Sequence, residues 1–185
     1  MIDDGIDMIA DGDCRIYIRR IDRVEGITAR DAERTAVGAI VRDIFGEGAT
    51  IGHSADGAPV LMIDGKEASA RISVSHGAGR AAVAVRGNGA AGVDIEAPRE
   101  QLRRVESRIR HAKDSSTLSP LELWTAKEAT FKAAGIETLT LPHIAVREGG
   151  VAEIYPAGAA EAWGKRFRIS YHTLDGALIA LAVPE

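Results

Sequence analysis

The stretch "GVDIE" sets Asp94 and Glu96 two residues apart in an otherwise apolar pentapeptide that reads as a strand. Side chains alternate along a strand, so both carboxylates share one face while Val93 and Ile95 take the other. Two like charges so placed are costly unless a cation lies between them. Further on, "LELWTAKEATFKAAG" reads as a helix on which Trp124, Glu128 and Lys132 stack at four-residue spacing. Taken alone, Glu128 and Lys132 make an ordinary exposed pair worth a few tenths of a kcal/mol. Taken with "GVDIE", they complete a set of three carboxylates and a lysine. Asp94, Glu96 and Glu128 offer only oxygen ligands, which suits a hard cation such as magnesium, an ion that keeps waters and completes its shell with substrate phosphates. The implied chemistry is phosphoryl transfer, with Lys132 as a point charge for phosphate and His76, closing "SVSH", as a donor to another phosphate oxygen. Without the cation, Asp94 and Glu96 should repel, raising the pKa of one or both.

The elements that must position these residues are legible in outline. Cys14 to Ile21 alternates like a strand, and Thr28 is placed to N-cap a helix through "ARDAERTAVGAIVRDIFG", ended by Gly46 and Gly48. "APVLMIDGK" carries a strand with a turn at Asp64-Gly65, "RISVSH" and "AAVAV" read as paired strands around "GAGR", and "GNGAA" turns into "GVDIE". After residue 97, "QLRRVESRIRHAK" reads as helical and "DSSTLSP" as a polar break with a capping serine. The Trp124 helix then runs to Gly135, strands follow near "HIAVREGGVAEIY", and "RFRISYHTLDGALIALAVPE" closes the chain as a hairpin.

Two stretches repeat. "RISVSHGAGRAAVAV" matches "RISYHTLDGALIALAV" with Arg71 opposite Arg168, and "TAVGAIVR" matches "TAKEATFK" with Arg42 opposite Lys132. The reading is an α+β fold of two pseudo-symmetric α/β halves, residues 1–90 and 91–185, each an antiparallel sheet packed with a long helix, with the active site between them. A single α+β domain without duplication is the alternative.

Composition narrows the function classes. A chain of 185 residues with 45% hydrophobic and 27% charged residues has ample core and is not disordered as a rule. The lone Cys14 allows neither an intramolecular disulfide nor a cysteine metal cluster, which fits a reducing cytosol. No window approaches the roughly 18 apolar residues of a membrane span. The acidic start "MIDDGIDMIADGD" is unlike a signal peptide, so a soluble cytoplasmic protein is expected. The net charge of -4 gives no general attraction to nucleic acid or membrane. His53, His111, His143 and His172 lack metal-ligand spacing, and Trp163 reads as packing rather than a base-stacking platform. "GAGR" and "GNGAAG" are hairpin turns, since no Gly-Lys-Ser/Thr follows as a P-loop requires.

"ISVSH", "GVDIE" and "WTAKEATFK", in this order, resemble the signature of the 4′-phosphopantetheinyl transferase superfamily: a Ser-His strand end, G-[IV]-D-[IV]-E and W-x-x-K-E-[AS]-x-x-K. The resemblance covers about Gly57 to Gly135 by motif, and the two halves extend it toward the larger, surfactin-synthetase-type members, which are monomers. It implies transfer of the 4′-phosphopantetheine arm of coenzyme A, the co-substrate, to a serine of an apo acyl or peptidyl carrier protein, releasing adenosine 3′,5′-bisphosphate. It implies Asp94 and Glu96 as Mg2+ ligands, Glu128 as a third acidic residue that is metal ligand, general base or both, Lys132 and His76 as phosphate contacts, and Ser75 and Lys127 as further coenzyme A contacts. The bland reading of Ser75 and His76 is a hydrogen-bonded strand end.

The chain departs from the pattern at "GAP", where members of the larger type carry a basic residue and this one carries Ala58. Arg42 or Arg71 is a candidate replacement, and Arg30 and Arg34 are candidates on the first helix. The segment holding Arg103, Arg104, Arg108, Arg110 and Lys113 corresponds to the family's carrier-docking region and suits an acidic partner face; otherwise it is a solvated basic helix. Two rivals stand beside the transferase: a non-catalytic relative that binds coenzyme A or a carrier, and a magnesium-dependent phosphohydrolase.

Overall fold

The computed structural model describes residues 5–155 and 164–185, so Trp163 lies outside the described residues. The chain divides into two compact units, Met1–Gly89 and Ala90–Glu185. Among the described residues there are three sheets and three α-helices, a mixed arrangement compatible with α+β. None of these helices is long and apolar enough to cross a membrane.

In the first unit, strands β1 (Ile6–Asp11), β2 (Cys14–Arg20), β6 (Arg71–Gly77) and β7 (Arg80–Arg86) form an antiparallel sheet in the order β1-β2-β7-β6. Strands β3 (Ala49–His53), β4 (Pro59–Ile63) and β5 (Lys66–Glu67) form a small second sheet. Helix α1 (Ala29–Phe45) starts at Thr28, whose hydroxyl accepts from the Asp31 amide, and stops at Gly46 with φ 94°. Its apolar stripe, Ala36, Val37, Ile40 and Val41, packs against Leu61, Ile72, Ala81 and Val83. Tight turns at Asp64-Gly65 and Ala78-Gly79 hold positive φ at both central residues, the geometry that closes a two-residue hairpin. The β6–β7 register pairs Arg71 with Arg86, and β2 pairs with β7 so that Tyr17 faces Val83 and Arg19 faces Ala81.

In the second unit, β8 (Gly92–Glu96), β9 (Ile144–Arg147), β10 (Val151–Ile154), β11 (Arg166–Leu174) and β12 (Ala177–Pro184) form one antiparallel sheet in the order β8-β12-β11-β10-β9. The β11–β12 register pairs Arg168 with Val183, and β8 pairs with β12 so that Asp94 faces Ala180 and Glu96 faces Leu178. Helix α2 (Glu100–Ile109) precedes α3 (Pro120–Ala134). Helix α3 is set by strong local chemistry: a reciprocal capping box between Ser119 and Glu122, Pro120 in its first turn, and Gly135 in the left-handed region at its end. Leu123, Ala126, Ala129 and Ala133 turn into a core shared with Val146, Ile154, Phe167 and Ala180.

The small residues on this face let α3 lie very close to β8. A Cβ built on Gly92 would stand 1.9 Å from the Ala129 carbonyl oxygen and 2.6 Å from the Ala133 nitrogen, both backbone atoms that cannot step aside. Gly92→Ala must therefore lift α3 from β8. The expected loss is about 3 kcal/mol, the upper part of the usual overpacking range, read as a lower urea midpoint with unchanged slope.

Candidate functional site

Gly92 is the contact that brings α3 against β8, and the charged residues gather along that contact. Val93 and Ile95 are fully buried on the other face of β8, as the alternation requires. Asp94 is buried, and its Oδ1 accepts from Lys132 Nζ at 2.8 Å; the same ammonium donates to the Val93 carbonyl at 3.0 Å. Glu96 is mostly buried and accepts from Arg99 Nη2 at 2.6 Å. Glu128 lies on α3 one turn before Lys132. The pKa of Glu128 is raised, chiefly by burial and then by the neighbouring Asp94 charge, with Lys132 opposing and Glu96 adding. The pKa of Glu96 is also raised, again first by burial, with Arg99 opposing and Asp94 adding.

Among the described residues, three carboxyl groups, Asp94, Glu96 and Glu128, lie with two cations, Lys132 and Arg99, one positive charge fewer. Either a proton or an added cation can supply the difference. Among the described residues no three His, Cys, Asp or Glu side chains form a group able to hold an ion together. Magnesium does not ask for such a cage, since it takes one or two carboxylates, several waters and substrate phosphates. The oxygen-only donor set fits that ion.

The shifts give a signed expectation. Both glutamates bind their protons more tightly folded than unfolded, so stability contributed by these two groups is greatest at low pH and declines as pH rises from the ordinary glutamate value through the raised ones. A divalent cation held by these carboxylates would compete with those protons, so magnesium titrated calorimetrically should bind more tightly as pH rises through the same window.

Lys127 requires a correction. Read as a coenzyme A contact, it is instead fully buried. Its Nζ pairs with Asp114 Oδ2 at 2.9 Å and donates to the backbone carbonyls of Ile109 at 2.7 Å, of Leu141 at 3.3 Å and of Ile144. Asp114 in turn accepts from the amides of Val146 at 2.7 Å and His111 at 2.6 Å. Burial lowers the Lys127 pKa, with Asp114 opposing. The reason is angular: one residue along a helix is about 100° of rotation, which turns Lys127 away from Glu128 into the body of the unit.

The remaining predicted coenzyme A contacts, Ser75 and His76, lie in the first unit. Ser75 is buried on β6, whereas His76 is exposed and places Nδ1 3.5 Å from Glu33 Oε2 on α1. Arg71 is exposed and pairs with Glu67 at 3.4 Å. In the basic segment Arg103, Arg104 and Arg108 are exposed along α2. Arg110 is bound to Glu106 at 2.6 Å and to the Ser115 carbonyl at 3.2 Å, and Lys113 lies 4.1 Å from the centre of the Tyr155 ring.

Sequence reasoning missed Arg99 and Asp114. Arg99 had a signal, its three-residue offset from Glu96 in "DIEAPRE"; Asp114 had none beyond standing in a polar break. No protein-family model matches the chain, and no curated protein matches it.

Proposed function

We propose that this protein is a 4′-phosphopantetheinyl transferase, a cytoplasmic monomer that moves the phosphopantetheine arm of coenzyme A to a serine of an apo carrier protein. The observation that carries this reading is the Lys132–Asp94 contact at 2.8 Å, which joins the "GVDIE" strand to the helix bearing Glu128. Two motifs separated by more than thirty positions belong to one electrostatic cluster.

In this reading Glu128, its pKa raised by burial and by the Asp94 charge, accepts the serine proton as the oxygen attacks the β-phosphate. The new O–P bond forms as the pyrophosphate P–O bond breaks, and adenosine 3′,5′-bisphosphate leaves. Lys132 holds Asp94 in place and presents a positive charge to the phosphates. One or two of the carboxylates Asp94, Glu96 and Glu128, completed by waters and substrate phosphates, would hold magnesium, which when bound would offset charge on the leaving group. Arg103, Arg104 and Arg108 are the docking face for an acidic carrier helix.

Duplication of the two units is part of the same proposal. What supports it is a shared register: Arg71 pairs with Arg86 in one hairpin and Arg168 with Val183 in the other, each closed by a turn of two positive-φ residues. On that alignment Tyr17 and Arg19 stand where the second unit has Asp94 and Glu96, and Gly38 stands where it has Glu128. Only the second copy keeps the acidic set, which is one site per chain.

A second reading, a relative that binds coenzyme A or a carrier without transfer, draws on Ala58 and on the burial of Lys127, which together remove two basic contacts. Release of adenosine 3′,5′-bisphosphate from coenzyme A, dependent on both magnesium and an apo carrier, supports the transferase. Binding without release supports the second reading.

A further inference from the structure

Arg99 stands between β8 and α2, outside both motifs of the cluster. It occupies the N-cap of α2 with an extended backbone, φ -148° and ψ 146°, and its side chain gives the helix no capping hydrogen bond. Local chemistry disfavours an arginine here on two counts. The position prefers a short side chain whose oxygen accepts from the first-turn amides, and a guanidinium adds positive charge at the positive end of the helix dipole. Residues that break a local rule without local gain are expected at functional sites. What Arg99 reaches is Glu96: Nη2 donates to Glu96 Oε1 at 2.6 Å, with the arginine side chain 47% exposed. A pair so open to solvent contributes little to stability, no more than a good cap in its place would. Stability does not account for the arginine.

Resting on the transferase reading, we infer that Arg99 is a further substrate-binding residue, whose guanidinium holds Glu96 with one nitrogen and the diphosphate of coenzyme A with the others. The two cations of the cluster differ in what they have left to give. An ammonium has three N–H donors; Lys132 uses two of them, on Asp94 Oδ1 and on the Val93 carbonyl, and its side chain is 27% exposed. A guanidinium has five donors in a planar fork, and Glu96 is the one hydrogen-bond partner of the Arg99 side chain among the described residues. The fork meets two phosphate oxygens at once, which a point charge does not. Asp94, Glu96, Arg99, Glu128 and Lys132 all belong to the second unit, so the contact needs nothing from the first.

Calorimetric titration of inorganic pyrophosphate, and separately of coenzyme A, into the full chain with magnesium present tests the inference on wild type, Arg99→Ala and Arg99→Lys, alongside KM for an apo carrier. Arg99→Ala should weaken binding of both compounds about tenfold or more, the effect of losing hydrogen bonds between charged groups. Arg99→Lys should recover only part of the loss, because it returns the charge without the fork. The carrier KM should stay level. Pyrophosphate binding unchanged in Arg99→Ala, full recovery by Arg99→Lys, or a raised carrier KM with coenzyme A binding unmoved overturns the inference. Any of these, with transfer by wild type, leaves the transferase standing. The expected weakening with no transfer to any carrier removes the transferase and leaves Arg99 as a diphosphate contact. A wild type that binds neither compound overturns both.

Discussion

Lys127→Ala will destabilise the protein by about 3–5 kcal/mol, the loss seen when one partner of a buried ion pair is removed. The pair is fully enclosed, with both side chains at 0% exposure. Removing the ammonium strands the Asp114 carboxylate and deprives the carbonyls of Ile109, Leu141 and Ile144 of a donor. The double substitution Lys127→Met with Asp114→Asn should recover much of the loss. Methionine refills the volume, and asparagine can still accept from the Val146 amide without a buried charge. Urea unfolding of wild type and the two variants gives the answer. A single-variant loss below about 1 kcal/mol would mean the pair is solvated, and Lys127 would return as a candidate phosphate contact.

Glu128→Gln will lower kcat by about 10²–10⁴-fold, the contribution of a positioned general base, while the melting temperature stays level or rises. The two effects share one cause. Burial and the Asp94 charge raise the Glu128 pKa, which makes the carboxylate a better base and its ionisation a burden on the fold. Glutamine keeps the shape and removes the charge, so stability and turnover part company. A variant that keeps more than about a tenth of wild-type turnover would contradict the role given to Glu128, and one that melts lower would contradict the electrostatic account of the cluster.

The parts legible in the sequence are those set by local chemistry. Thr28, Ser119 and Gly135 cap their helices because hydroxyl acceptors and a residue tolerant of positive φ act within a few positions. Asp64-Gly65 and Asp175-Gly176 close hairpins for the same reason. The strand face shared by Asp94 and Glu96 follows from alternation alone. Strands β1 and β3 were not legible: "IDMIAD" is charged and has no buried residue, and "ATIGH" is short with an internal glycine, so pairing with neighbours decides both.

Helix α2 shows the limit more sharply. Its pattern runs through Lys113, yet the helix ends at Ile109, with Arg110 extended. The Ile109 carbonyl, which a longer helix would offer to the Lys113 amide, is taken by Lys127 Nζ. That stop signal comes from another helix. Lys127 itself was misread for the same reason: a lysine is seldom fully buried unless paired, and its partner, Asp114, stands thirteen positions earlier in a stretch with no motif. The cluster of Asp94, Glu96, Glu128 and Lys132 was legible as a set of residue types, whereas Arg99 as counter-ion to Glu96 had only its three-residue offset to mark it.

The central claim is that the cluster on β8 and α3 transfers phosphopantetheine, and the intact mass of an apo carrier protein tests it most directly. The carrier is incubated with the full chain, magnesium and an excess of coenzyme A, with Asp94→Asn as control. A gain of one phosphopantetheine unit on the carrier serine with wild type, absent with Asp94→Asn and without magnesium, is the predicted result. An unmodified carrier across a panel of acyl and peptidyl carriers, from a folded protein that binds the donor, would contradict it.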